Sequence, residues 1–224
     1  MSQFLKVEFH CHTIYSPDSL NFVPDLLKRS REKGIDRLII TDHNSIYGAQ
    51  LARELDPELV IIGEEILTQK GELLASFVKE KIPAGLTPME AIEKLKNQGA
   101  FISVSHPFDL RRHGWQTPDL LEIIPFVDAI EVFNARCIHL DHNRLAKSFA
   151  EEHNLPGTVG SDAHILFEVG QATLSLPYFE GADGLRNVIR QGKQITRLSP
   201  AWVHLGSGLA HVYKRFLPGY EVEL

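Results

Sequence analysis

Short apolar runs rich in β-branched residues alternate with amphipathic segments of helical period along almost the whole chain, and this alternation restricts the fold more than any other feature. Lys6–His10, Arg37–Thr41, Leu59–Ile62, Phe101–Ser105, Ala129–Phe133 and Thr158–Ser161 read as strands. Pro24–Lys33, Tyr47–Glu54, Pro88–Gln98, Pro118–Ile124, Asp141–His153 and Asp183–Arg190 read as helices. The punctuation agrees, since Gly34, Gly99 and Gly192 stop helices and Thr87-Pro88 is a start signal. Glu65–Thr68 and Glu72–Phe77 flank Gln69-Lys70-Gly71, which reads as a hairpin turn. The sequence of elements predicts a mostly parallel sheet with helical crossovers, either open or closed into a barrel. No repeat or linker divides it, so one domain is expected. From Ser199 a tail follows in which Trp202, Leu205, Leu209, Val212 and Phe216 recur at helical spacing. It reads first as a helix packed on the domain, second as an oligomer contact and last as a membrane-surface segment; the oligomeric state is left open.

Composition narrows the function. The apolar runs are far too short to span a membrane, and no basic start followed by an apolar stretch marks a secretory leader. Cys11 and Cys137 are too few for a disulfide framework and fit a reducing cytoplasm. A net charge of −6 argues against a broad nucleic-acid surface and leaves room for a local anion pocket. Eleven histidines, against five tyrosines and two tryptophans, are the anomaly to explain.

The strands end in polar residues of one kind. The first ends in His10-Cys11-His12, the second in Asp42-His43, and the third is followed by Gly63-Glu64-Glu65. Phe101–Ser105 ends in His106-Pro107, Ala129–Phe133 in Asn134, and Thr158–Ser161 in Asp162-Ala163-His164. In a parallel sheet these ends converge on one face. The two-residue period aims His10 with His12 and Asp162 with His164, and turns Cys11 away. A lone histidine after a strand is usually an ordinary hydrogen-bonded residue. The joint pattern points to a functional cleft. His139, His142, His153, His204 and His211 lie in helix or tail and read as solvated or packing residues.

These residues resemble, in order, the motifs of the PHP family, the polymerase-and-histidinol-phosphatase superfamily of metal-dependent phosphoesterases. The carriers are His10-x-His12-Thr13 with Ser16 and Asp18, Thr41-Asp42-His43-Asn44, Gly63-Glu64-Glu65-Ile66, Ser105-His106-Pro107 and Gly160-Ser161-Asp162-Ala163-His164. The resemblance implies an α/β fold, a distorted (β/α)7 TIM-like barrel over residues 1–198, with two or three divalent transition metals at the carboxyl ends of the strands. It implies that His10, His12, Glu65 and Asp162 hold a first metal, that Glu65 bridges to a second bound by His106, and that Asp18, His43 and His164 hold a third. Glu64 would point away or support a ligand from behind, and Asp42 would orient a histidine in preference to binding metal itself. Asn134 departs from the pattern: trinuclear relatives often carry a histidine there, and an amide oxygen is a weaker ligand.

Imidazole and carboxylate without thiolate suit Mn²⁺, Zn²⁺ or Fe²⁺. Two such ions outweigh the charge of Asp18, Glu65 and Asp162, so the centre should attract a phosphate. A metal-bound water, its pKa lowered to about 7, would attack phosphorus in line. Arg136, Arg111, Arg112 and His113, on loops at the same rim, are candidates for binding that phosphate. The expected enzyme is a cytoplasmic metal-dependent phosphoesterase acting on a small metabolite, nucleotide or short oligonucleotide. The alternatives are a 5′-acting exonuclease on short single strands, an amidohydrolase, and a non-catalytic metal-binding module with a partner on the tail.

Overall fold

The computed structural model describes residues 4–215, so Phe216, the last residue of the tail's apolar pattern, lies outside the described residues. Nine strands form one sheet: β1 (Phe4–Glu8), β2 (Arg37–Ile40), β3 (Val60–Leu67), β4 (Glu72–Ser76), β5 (Phe101–Val104), β6 (Ala129–Asn134), β7 (Gly157–Gly160), β8 (Ala172–Pro177) and β9 (Lys193–Thr196). Their spatial order is β7-β6-β5-β4-β3-β2-β1-β8-β9. The helices are α1 (Val23–Glu32), α2 (Tyr47–Leu55), α3 (Pro88–Asn97), α4 (Thr117–Ile123), α5 (Leu140–Glu152), α6 (Gly181–Val188) and α7 (Val203–Arg215).

The sheet curls until its ends nearly meet. The segment after β7 returns to the segment after β1 through a parallel bridge at Cys11 and Ala163. There His12 N donates to Ala163 O at 3.0 Å and Asp162 N to His10 O at 2.8 Å. The closure therefore lies at the end of the sheet that carries the histidines. Alternation along the strands separates two apolar layers. Ile39 packs with Val7, Phe9 and Ile61, whereas its neighbours Leu38 and Ile40 pack with Leu26 and Leu27 of α1 and Ala49 and Ala52 of α2. Each fully buried residue of this size contributes about 1.5–3 kcal/mol relative to exposure.

The architecture departs from seven plain β/α units in two ways. β3 and β4 are joined as a hairpin without a helix, so β4 runs antiparallel to both β3 and β5. β8 and β9, absent from the sequence reading, extend the sheet antiparallel to β1 and to each other. β9 is exposed throughout and so carries no apolar run to announce it. By contrast, α3 starts as expected: Thr87 and Glu90 form a reciprocal capping box, with Pro88 in the first turn.

β3 also runs past Gly63 to Leu67 rather than stopping at Ile62. A Cβ on Gly63 would lie 2.6 Å from Ala75 O and 2.9 Å from Ile40 O. The glycine there permits close approach of neighbouring strands and does not mark a strand end. Continuation of β3 puts Glu64 and Glu65 on opposite faces. Glu64 turns from the histidines and accepts from Ile82 N at 3.0 Å.

Burial pushes the Glu64 carboxyl up to about 8. Its folded-state value lies above its unfolded one, so its contribution to stability is complete below about pH 4.5 and is lost as pH rises through about 8. The loss is on the order of 5 kcal/mol. Glu64→Gln should therefore raise the unfolding temperature more at pH 9 than at pH 5, and equal shifts at both pH values would contradict this.

Candidate metal centre

Four donor atoms converge at the closed end of the sheet. His10 and His12 follow β1 and share a face, while Cys11 turns into the apolar layer against α1. Asp162 follows β7, and Glu65 reaches in from β3. His10 Nε2 lies 3.0 Å from His12 Nε2, 3.2 Å from Glu65 Oε2 and 3.5 Å from Asp162 Oδ1. His12 Nε2 lies 3.4 Å from the same Glu65 oxygen and 3.2 Å from the same Asp162 oxygen. Bond lengths of about 2.0–2.1 Å to a tetrahedral ion give donor–donor edges of roughly 3.3–3.4 Å. Five of the six edges among these donors run from 3.0 to 3.5 Å. His10, His12 and Asp162 hold donor atoms within 4.8 Å of one another, and buried imidazole and carboxylate without thiolate are the donor types that suit a divalent transition metal.

Glu65 connects this group to others. Its Oε2 also lies 3.1 Å from His43 Nδ1, while Oε1 lies 3.3 Å from His106 Nε2 and accepts from Ser105 Oγ at 2.6 Å. Its two oxygens thus face different imidazoles, as a bridging carboxylate requires. On the far side of His43, Asp18 Oδ1 lies 3.5 Å from His43 Nε2, and Asp18 Oδ2 lies 2.9 Å from His164 Nε2. The structure brings all eight residues expected as ligands into one continuous cluster.

A layer of hydrogen bonds fixes the rings. His10 Nδ1 meets Glu131 Oε1 at 2.9 Å, His12 Nδ1 meets Ser16 Oγ at 3.0 Å, and His164 Nδ1 meets Asp162 O at 2.7 Å. Ser16 Oγ donates to Asp42 Oδ1 at 2.6 Å, and Asp42 also accepts from Thr13 N and Thr13 Oγ1. Asp42 therefore acts on His12 through Ser16. Asp162 sits at φ +54°, a left-handed conformation unusual for a residue with a side chain; such strain persists where surrounding structure enforces it.

Glu131 is a residue that sequence reasoning missed. Besides His10 it accepts from His106 N at 2.9 Å and Asn134 Nδ2 at 3.1 Å. Groups that orient histidine ligands typically matter by about 10–100-fold in metal affinity. Glu131→Gln is expected to fall in that range, measured by competition with a chromophoric chelator. An unchanged affinity would remove Glu131 from the support of the site.

The charges are strongly coupled. Burial opposes ionisation of Glu65, yet His10 and His43 outweigh it and hold the carboxyl well below the usual range. For Asp162 burial is likewise outweighed, by His10, His12, His164 and Arg112; for Asp18, by His164 and His43. His10 is raised well above the ordinary imidazole value because Glu65, Asp162 and Glu131 overcome its burial. Burial, with the charges of His164 and His43, pushes His12 down to about 3. The imidazoles and Arg112 around Glu65, Asp162 and Asp18 thus favour the ionised form of these three carboxyls.

Above the cluster opens a cavity of about 410 Å³, and all four rim residues expected to meet phosphate, Arg111, Arg112, His113 and Arg136, line it. Arg112 pairs with Asp109 at 2.9 Å and also with Asp162. Arg136 Nε lies 3.0 Å from Glu168 Oε1, and its NH2 donates to Ser207 of α7 at 2.8 Å. Asn134 uses its Oδ1 to accept from Arg136 N at 3.0 Å and its Nδ2 to donate to Asp162 Oδ2 at 3.1 Å. Its amide supports the cluster, and its oxygen does not face it. One expectation needs correction. His211, read as an ordinary tail residue, lines the cavity from α7 because that helix lies across the site. Lys214 of the same helix donates to the carbonyls of Ile14 and Ser16.

The family description of the PHP domain matches residues 8–99, and that of a PHP-associated segment matches residues 141–194. An uncharacterised protein of Methanocaldococcus jannaschii is 38% identical over 172 residues, covering 75% of this chain and 69% of its own. Among solved structures, PsfC from Pseudomonas syringae is similar with a TM-score of 0.67 and 18% identity, over 95% of this chain and 98% of that one. A candidate metal-dependent phosphoesterase from Bifidobacterium adolescentis is similar with a TM-score of 0.56 and 18% identity, over 74% and 90%. At such identities these two speak for the fold. The two matched segments carry His10, His12, Asp18, His43, Glu65, Asp162 and His164 between them, and with a close relative along most of its length the chain belongs to the PHP family.

Proposed function

We propose that this protein is a metal-dependent phosphoesterase acting on a small phosphorylated molecule. The observation that carries the proposal is Glu65, whose two oxygens face separate imidazole groups on the floor of a cavity rimmed by arginines. His10, His12, Asp162 and Glu65 would hold one divalent ion, Glu65 and His106 a second, and Asp18, His43 and His164 a third. When bound, such ions supply Lewis acidity and an activated water.

The chain's own residues do the rest. Arg111, Arg112, Arg136 and His113 present donors to the phosphate oxygens, and a guanidinium can do so in bidentate fashion. Arg136 comes to that task already oriented by Glu168 and Ser207. Glu131 and Ser16 hold the rings of His10 and His12, which limits movement of the floor as charge develops on the substrate. The cavity volume lies within the usual range for small-molecule sites and favours a metabolite or nucleotide. Among the described residues no helix is long and apolar enough to cross a membrane.

The test is turnover with Mn²⁺ present, using p-nitrophenyl phosphate, bis-p-nitrophenyl phosphate, mononucleotides, short oligonucleotides and neutral p-nitroanilide amides. The proposal expects hydrolysis of phosphate esters and none of the amides. Preference for oligonucleotides cut from the 5′ end would favour the exonuclease reading. Turnover of amides alone would make the protein an amidohydrolase, and bound metal without any turnover would make it a binding module.

A further inference from the structure

Away from the cluster around Glu65, one further group of donor atoms meets among the described residues. Asp109, Cys137 and His142 each bring a ligating atom within 4.8 Å of the other two, and none of them belongs to that cluster. Three segments deliver them. Asp109 follows β5 on the loop that carries Arg111 and Arg112, Cys137 follows β6 directly after Arg136, and His142 lies in the first turn of α5.

The carboxylate and the thiol belong to buried residues, and His142 Nδ1 is a buried atom with no hydrogen-bond partner among the described residues. It lies 3.7 Å from Asp109 Oδ2, too far for a hydrogen bond and near enough for one ion to hold both atoms. An orphaned ring nitrogen facing a carboxylate and a sulfur is unfavourable as it stands, and a cation would satisfy it. A cavity of about 130 Å³ that Asp109 and His139 help to line leaves room for a water, or for the His139 imidazole, as a fourth ligand.

Arg112 supports the group from outside. Its Nε donates to Asp109 Oδ2 at 2.9 Å and its NH2 to Cys137 Sγ at 3.6 Å, while its own charge is matched by Asp162. Burial pushes the Cys137 thiol up to about 12 against the pull of this guanidinium, but a coordinating thiol gives up its proton to the metal. Thiolate and carboxylate then balance a dication within the site.

We propose that Asp109, Cys137 and His142 form a separate metal site for a thiophilic divalent cation such as Zn²⁺. Its sulfur sets it apart from the donors around Glu65 and makes Mn²⁺ a poor occupant. An ion there ties the loop after β5 to the loop after β6 and to the start of α5. Those loops carry Arg111, Arg112 and Arg136, so the ion braces the arginine rim and takes no part in the floor of the cavity. The site stands whether or not the cluster at Glu65 hydrolyses phosphate esters.

The experiment titrates Co²⁺ into reduced, metal-free protein and records the near-ultraviolet charge-transfer band of cobalt bound to thiolate, which imidazole and carboxylate ligands do not give. Wild type should develop the band, and Zn²⁺ should abolish it where Mn²⁺ does not. Cys137→Ser should lose it and keep the visible absorption of cobalt bound elsewhere, which separates Cys137 from Cys11, the other thiol of the chain. His142→Ala should weaken the cobalt that gives the band by at least about tenfold, no less than the loss of a group that merely orients a ligand. Circular dichroism checks folding, and the half-buried His142 supplies the decisive variant if Cys137→Ser does not fold. Folded wild type saturated with Co²⁺ that shows no such band would overturn the proposal. So would a folded Cys137→Ser or His142→Ala with the band and affinity of wild type, and either result would leave the centre at Glu65 untouched.

Discussion

Replacing Glu65 with glutamine should lower phosphate-ester turnover by about a thousandfold, more than any other single exchange at this site. The reason is geometric. Glu65 Oε2 lies within 3.4 Å of His10, His12 and His43, while Oε1 lies 3.3 Å from His106. A glutamine offers one neutral oxygen, so either side of the bridge would face an N–H donor in place of an acceptor. The same change removes a charge that offsets His10 and His43. Steady-state kinetics at saturating Mn²⁺, with folding checked by circular dichroism, decides the matter. Turnover near the wild-type level would take Glu65 out of the reaction.

The second large effect is expected at a residue with no chemistry of its own. A Cβ on Gly160 would lie 2.3 Å from His10 Cβ and 2.6 Å from Glu131 Oε1. Neither neighbour can yield easily. His10 is pinned between Glu131 and the cluster, and Asp162 N donates to its carbonyl. Overpacking of this kind costs about 1–3 kcal/mol, which in a domain of this size lowers the unfolding temperature by roughly 2–12 °C. Because the displaced groups are His10 and its partner, Gly160→Ala should also blunt the stabilisation that Mn²⁺ gives the wild type. Thermal unfolding with and without Mn²⁺ tests both parts. A variant as stable as wild type, with an undiminished Mn²⁺ shift, would show that the contact relaxes.

The legible part of the site was the part written as pairs. His10-x-His12 and Asp162-x-His164 follow apolar runs at a spacing that puts both members on one face, so strand periodicity alone aims them. Glu131 was not legible because it is one acidic residue within an apolar run. Local pattern alone reads such a residue as the solvent-facing side of a strand. Only closure of the sheet shows that this side is the interior. Glu8 is the same case, wholly buried and pushed up to about 8 by that burial, with Ser161 N donating to it at 2.8 Å.

The fold divides along a similar line. The alternation of strand and helix identified most of the parallel portion, where buried strands are continuous apolar runs. It missed β9, a short polar edge strand, and ended β3 at Gly63 because a glycine after an apolar run resembles a stop. The packing of Gly63 against Ala75 and Ile40 depends on strands distant in sequence. The contribution of α7 was hidden for the same reason. Helical spacing in the tail was visible, but contact of Ser207 with Arg136 and of Lys214 with the loop after His12 is a tertiary fact.

The claim beneath all of this is that donors from β1, β3 and β7 surround one point. Anomalous diffraction from crystals grown with Mn²⁺, recorded on both sides of the manganese edge, addresses it directly. The account predicts a strong manganese peak enclosed by His10 Nε2, His12 Nε2, Glu65 Oε2 and Asp162 Oδ1. Well-ordered side chains at those positions with no peak between them, or a peak found only elsewhere, would contradict it.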